Sequence, residues 1–279
     1  MSTSPYTIVI KVGGGRGIDP TCLTEEIAQL TRDGIRVVLV HGGSHETDLL
    51  AQALGHPTQT ITSPSGHQSR RTDRQTLEIF EMIYCGKVNK RLVESLRSAR
   101  VDAVGFSGID AGIWTGSRKS AIRAVQDGRT VIIRDDLSGR VESVDARFLE
   151  TVMDLGRTPV LTPPAITPDG TAINVDADRA AAATAAALGA DELLLLSNVP
   201  GLLQDPADPS TLIRSVTPES IDIARTAAKG RMKNKVLAAE EAMAAGVTSI
   251  VIASASGQRP IHAARTSQGT RFSSTPIAC

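Results

Sequence analysis

Aromatic residues are scarce: four Phe, two Tyr and one Trp stand among 279 positions. Core volume must therefore come from Ala, Val, Ile and Leu, and successive nucleobases have no aromatic platform to stack on. Net charge is missing too. Thirty Lys and Arg balance thirty Asp and Glu, which excludes nucleic-acid or membrane binding by bulk charge. The three cysteines, Cys22, Cys85 and Cys279, are odd in number, far apart and without CxxC spacing. They supply neither a disulfide framework nor a structural zinc site, and a reducing cytoplasm is the expected compartment. The N-terminal MSTSPYTIVIKVGGG has no basic region and too short an apolar stretch for a signal core. No segment reaches the roughly twenty apolar residues needed to span a bilayer. The common nucleotide motifs GxGxxG and GxxxxGK(S/T) are absent as well.

What is present is a rhythm of short β-branched runs and longer helical stretches. Residues 7–12, 37–41, 159–162, 192–197 and 249–253 read as buried strands, and 24–33, 44–54, 74–99, 177–188 and 232–245 as helices. This alternation predicts an α/β fold with a mostly parallel sheet. Between Val101 and Asp145 the rhythm breaks, and the pairs Asp127-Gly128 and Ser138-Gly139 predict antiparallel hairpins. A Pro/Gly/Asp loop near Pro163-Pro164 to Thr171 marks a boundary, giving lobes of 1–170 and 171–279.

Two glycine clusters end predicted strands, Gly13-Gly14-Gly15 after Lys11 and Gly42-Gly43-Ser44 after His41. Without Cβ atoms such loops let backbone N–H groups approach a phosphate, although strand-end glycines also serve as plain turns. Lys11 could neutralise a transferring phosphoryl group or simply end a strand. Lys235 could do the same, but Lys229, Arg231 and Lys233 also make its helix start read as an ordinary solvated basic stretch. Asp176 or Asp178 can cap the alanine-rich helix, or one carboxylate can enter the crevice and orient lysines. Charge is unevenly placed: Gly66–Arg91 holds six bases and three acids, and Gly116–Arg134 five bases and one acid. Solvated surface explains both, as does a docking face for carboxylates or an acidic partner.

Taken in order, KVGGG, VHGGS, SRRTDR, CGKVNK, INVDADRAA, LLLLSNVPGLL and GRMKNKV resemble the amino acid kinase family and its N-acetylglutamate kinase branch. Within it, GHQSRRTDRQTLEIFEMIYCGKVNKRLVE, GSRKSAIR and PVLTPPA look most like kinases for aminoadipate or glutamate carried on a small acidic amino-group carrier protein. The resemblance implies a three-layer α/β sandwich with β-hairpins in an N-terminal acyl-amino-acid and carrier-binding lobe, and a C-terminal ATP lobe. It implies Mg2+ and ATP, an acyl-phosphate product, lysine- or arginine-type biosynthesis and a homodimer. By the same resemblance Lys11, Asp178 and Lys235 are catalytic, and Gly13, Gly14, Gly42 and Gly43 hold phosphates. Ser44, Arg70 and Asn174 bind the substrate, Ser197, Asn198 and Gly201 the nucleotide, and Arg71, Arg74, Arg118, Lys119 and Arg123 dock the carrier. Ser44 replaces the usual third glycine of HGGG, and Asp176 stands where the branch often has asparagine. A kinase of free N-acetylglutamate and a catalytically silent ligand sensor remain as alternatives.

Overall fold

The computed structural model describes residues 5–64, 68–126, 129–266 and 268–274. Cys279, and Asp127-Gly128, lie outside them. The chain opens with β1 (Thr7–Val12), α1 (Thr24–Arg32), β2 (Arg36–His41) and α2 (Ser44–Ala53), followed by the hairpin β3 (Gln59–Thr62) and β4 (Gln68–Arg71). Next come α3 (Arg74–Glu81), a π-helical turn (Met82–Val88), α4 (Asn89–Ser98), β5 (Ala103–Ser107), β6 (Trp114–Arg118), β7 (Ile122–Gln126), β8 (Arg129–Ile133) and β9 (Gly139–Val144). Then follow α5 (Ala146–Asp154), β10 (Thr158–Thr162), β11 (Ala165–Ile166), β12 (Ala172–Ile173), α6 (Ala177–Ala187) and β13 (Glu192–Ser197). The last stretch holds β14 (Ser215–Val216), α7 (Ile221–Ala227), α8 (Met232–Ala244), β15 (Ser249–Ser254), α9 (Pro260–Thr266) and β16 (Thr270–Phe272).

Eight strands form the central sheet in the order β14-β16-β15-β13-β1-β2-β10-β5. All neighbours pair parallel except β15 and β16. Its inner strands are buried on both faces, so TIVIKV and ELLLLS carry apolar side chains at nearly every position. Alternation sorts them into two cores. Val9, Val38, Leu193 and Leu195 face α5, α6 and α8, while Ile8, Ile10, Leu39, Leu194 and Leu196 face α1, α4 and α9. Helix α6 is nearly all alanine, and Ala180, Ala181, Ala182 and Ala185 are buried. Their small side chains let its backbone lie close against α8 and β1.

The predicted strands and helices occur within a residue or two of their expected bounds, except that 74–99 divides into α3, the π turn and α4. Two expectations need correction. Ser138-Gly139 is not a hairpin turn between consecutive strands, because β9 pairs with β6. Asp136 instead captures the Ser138 and Thr72 amides, and the Gly139 amide bonds to the Asn174 carbonyl. The segment 103–107, read as part of the β-rich interruption, is the parallel edge strand β5 of the main sheet. No helix among the described residues is long and apolar enough to cross a membrane.

Candidate active site

Lys11 is the penultimate residue of β1, Asp178 lies in the first turn of α6 and Lys235 in the first turn of α8. All three are buried. The Lys11 Nζ stands 2.6 Å from Asp178 Oδ1, and the Lys235 Nζ 2.8 Å from Asp178 Oδ2. Asp176 decides which carboxylate enters the crevice. Its Oδ1 accepts from the Asp178 and Arg179 amides at 2.9 and 3.0 Å, so Asp176 is the helix cap and Asp178 is left to turn inward. Asn234 donates to the other Asp176 oxygen at 2.7 Å and ties the start of α8 to that cap.

Burial works against all three charges, and their mutual attraction opposes it. Burial pushes the Asp178 carboxyl up, but the two lysines win and hold it well below the usual carboxylate range. At Lys11 burial lowers the pKa while Asp178 more than offsets it, leaving the group above its ordinary value. Lys235 ends below its ordinary value: burial, aided by the like charge of Lys11, outweighs the pull of Asp178. With both lysines protonated the trio carries a formal charge of +1, suited to an anionic group.

The two glycine clusters meet beside this trio. The Gly13 amide donates to the Leu196 carbonyl at 2.9 Å and the Gly42 amide to the Val12 carbonyl at 3.1 Å. A Cβ on Gly14 would stand 2.1 Å from the Gly43 nitrogen, so only glycine permits this approach of two backbones. The Ser44 hydroxyl and the His45 amide both donate to the Gly14 carbonyl, at 3.1 and 2.8 Å. Ser44 thus links the loops at the N-terminus of α2. A cavity of about 360 Å³ opens beside them, lined in part by Ile18, Asp19, Lys87 and Leu92.

The β3–β4 hairpin brings Arg70 to the same end of α2, where it donates to Asp48 Oδ1 at 2.6 Å and to the Ser44 carbonyl at 3.2 Å. Arg71 turns away to Asp135. Asn174 donates to the Thr72 hydroxyl at 2.9 Å, linking β12 to the hairpin's exit. At the end of β13 the Ser197 hydroxyl is buried and has no hydrogen-bond partner among the described residues. That orphaned group fits a site awaiting a polar ligand such as a nucleotide. Asn198 is exposed beside it. Gly201 is buried at φ +156°, with its Cα face against Leu212 and Thr270, so packing alone already requires glycine there.

The expected docking residues are less uniform than the sequence suggests. Lys119 and Arg123 are exposed, and Arg74 pairs with Glu78 of its own helix at 3.0 Å. Arg118 donates to the Asp136 and Arg134 carbonyls at 2.8 and 2.6 Å, bracing the connection between β8 and β9. Arg71 is held by Asp135. Sequence reasoning missed Tyr84, whose ring lies against Gly43 and stacks on Phe80 at 3.6 Å. It also missed the Arg70 partner Asp48. A tyrosine within a helical apolar pattern carries no signal that separates it from core. Among the described residues no three or more His, Cys, Asp or Glu converge on a metal site.

Paired backbone loops and a lysine–aspartate–lysine trio, gathered at the end of a parallel strand and two helix starts, are an arrangement of the α/β class suited to phosphoryl transfer. The amino acid kinase family model matches residues 6–254, and the chain belongs to that family. It is a phosphotransferase with a carboxyl group as acceptor. Among its relatives, a LysW-aminoadipate kinase of Deinococcus radiodurans is 51% identical over 94% of this chain and 90% of its own. A second, of Thermus thermophilus, is 46% identical over 94% of this chain and 98% of its own. The solved N-acetylglutamate synthase of Neisseria gonorrhoeae, complexed with coenzyme A and N-acetyl-glutamate, superposes with a TM-score of 0.77 over 98% of this chain at 24% identity. This chain spans 60% of that one, and the likeness bears on the fold alone.

Proposed function

We propose that this chain is a cytoplasmic, Mg·ATP-dependent kinase that phosphorylates the side-chain carboxylate of aminoadipate, or of glutamate, held through its amino group on a small acidic carrier protein. The Lys11–Asp178–Lys235 trio beside the touching glycine loops carries the catalytic part of the reading. Two relatives at 46 and 51% identity, both LysW-aminoadipate kinases, support the acceptor class. Residues 1–170 form the acceptor lobe and 171–279 the nucleotide lobe, and by family resemblance the enzyme is a homodimer.

Mg·ATP supplies the γ-phosphoryl group and a divalent charge bound to its phosphates. The acceptor carboxylate attacks the γ-phosphorus in line. A new O–P bond forms as the bond to the β,γ-bridging oxygen breaks, and ADP leaves with that electron pair. No general base is needed, because the acceptor is ionised at pH 7. Lys11 and Lys235 offset charge on the phosphoryl oxygens, Asp178 fixes both ammonium groups, and the Gly13-Gly14 and Gly42-Gly43 loops face the phosphates through the Gly14 and Gly43 amides, since those of Gly13 and Gly42 are held by the Leu196 and Val12 carbonyls. Arg70 and Asn174, with Ser44, hold the acceptor's α-carboxylate and amide, Ser197 and Asn198 contact the nucleotide, and Lys119 and Arg123 lead the carrier-facing set with Arg74. ADP release with hydroxylamine trapping tests the whole. Turnover with carrier-linked aminoadipate is expected; turnover with free N-acetylglutamate alone replaces the acceptor, and turnover with neither sinks the kinase reading.

A further inference from the structure

The turn between α3 and α4 is π-helical, so its backbone bonds join residues five apart and set them one turn above another. Tyr84 and Asn89 are such a pair, with the Asn89 backbone N–H donating to the Tyr84 carbonyl. Both reach the Gly42–Gly43 loop. A Cβ on Gly43 would stand 2.9 Å from Tyr84 Cδ2, which measures how closely that ring presses on the loop. Asn89 reaches the loop through His41. The two side chains are 1% and 0% exposed.

Three contacts fix the direction of every hydrogen bond here. Lys90 Nζ donates to Asn89 Oδ1 at 3.1 Å, while Asn89 Nδ2 faces the Val160 carbonyl at 3.0 Å. The amide nitrogen therefore points inward, and its second hydrogen goes to His41 Nε2 at 3.1 Å. Since Nε2 accepts, the neutral ring carries its proton on Nδ1. That N–H donates to the Gly42 carbonyl at 3.1 Å. Burial, with Lys11 and Lys90 nearby, pushes the His41 pKa down to about 4, so the ring is neutral at pH 7. Gly105 completes the arrangement: a Cβ there would lie 1.9 Å from Asn89 Oδ1, so β5 must carry glycine for Asn89 to fit.

We propose that Asn89 is a positioning residue for phosphoryl transfer, holding His41 as the Nδ1-protonated tautomer so that the ring ties down the Gly42 carbonyl and aims the Gly42–Gly43 loop. The proposal rests on the kinase reading above. Asn89 reaches the Gly42–Gly43 loop through His41, so losing either should cost the same step. Asn89→Leu and His41→Phe, each close in size to the residue replaced, should both lower kcat ~10-fold or more, the scale of a small misplacement at a reacting centre. KM for ATP and for the acceptor should change less than about threefold, because a slightly misaimed loop costs more at the developing phosphoryl charge than in ground-state binding. The double variant should lose little more than either single one.

Imidazole 15N spectra of the wild-type protein supply a readout that needs no variant. His41 is the ring expected to stay neutral to about pH 5, with the proton on Nδ1. A proton on Nε2, an Asn89→Leu kcat within twofold of wild type, or additive losses in the double variant would overturn the proposal. Should wild type show no turnover with any acceptor, the kinase reading fails instead, and the tautomer spectrum still reports whether the clamp exists.

Discussion

Asp178 reaches two lysines because Asp176, two residues earlier, already satisfies the helix start. One carboxylate caps and the other works, a division that the sequence Asp-Ala-Asp presents but does not assign. Lys11→Ala or Lys235→Ala should reduce kcat at least ~100-fold, the scale of losing one oriented charge stabiliser; steady-state turnover at saturating substrates checks this. His41 makes a separate prediction about stability. Its folded pKa is about 4 against roughly 6.5 when unfolded, so above pH 6.5 neither state is charged and no penalty exists. Between pH 6.5 and 4 the unfolded chain takes up a proton that the folded chain refuses. Stability should fall by about 3 kcal/mol across that window, and urea titrations should show a shallower fall in His41→Gln. The lysines and glycines were legible as residue types beside strand ends. His41 and Asn89 were not, since their meaning lies in a hydrogen-bond direction set by residues from four separate segments.

Among elements, the strands announced themselves best, because a strand buried on both faces must be apolar throughout. Strand β5 was missed: its run AVGFS is interrupted by Gly105, which makes room for Asn89. The Ser138-Gly139 turn was misread because its amides are captured by the neighbouring Asp136 side chain and by Asn174, a partner distant in sequence. A continuous helical pattern over 74–99 likewise hides the π turn, which the periodicity of apolar residues is too coarse to resolve. The two glycine loops behave as one element. Gly14→Ala would force a Cβ into the Gly43 backbone, so kcat should fall at least ~10-fold while the fold, measured by thermal melting, loses much less than activity does. Gly17→Ala, at a position with nothing within 4 Å but φ +82°, should act through backbone strain alone and spare the chemical step.

For the whole molecule, a net charge of zero conceals its placement, and the structure sorts the basic residues by occupation. Arg71 and Arg118 already have partners within the chain, whereas Lys119 and Arg123 lie exposed. Lys119→Glu with Arg123→Glu should therefore raise KM for a carrier-linked acceptor at least ~5-fold and leave KM for ATP unchanged, an effect that fades at about 1 M salt where the screening length is ~3 Å. An unchanged acceptor KM would move the docking face elsewhere. The order of the central sheet has a different consequence, felt before the enzyme works at all. Strand β1 precedes the other described strands of this sheet, yet one of its two edges pairs with β13, Ile8 against Glu192. At roughly 5–20 residues per second a ribosome needs about ten to forty seconds to supply that partner. Throughout that interval the nascent chain carries an apolar strand with an open edge, the template on which chains associate wrongly. The position that seats Lys11 at the centre of the finished sheet thus leaves the growing chain an unpaired apolar edge until β13 emerges.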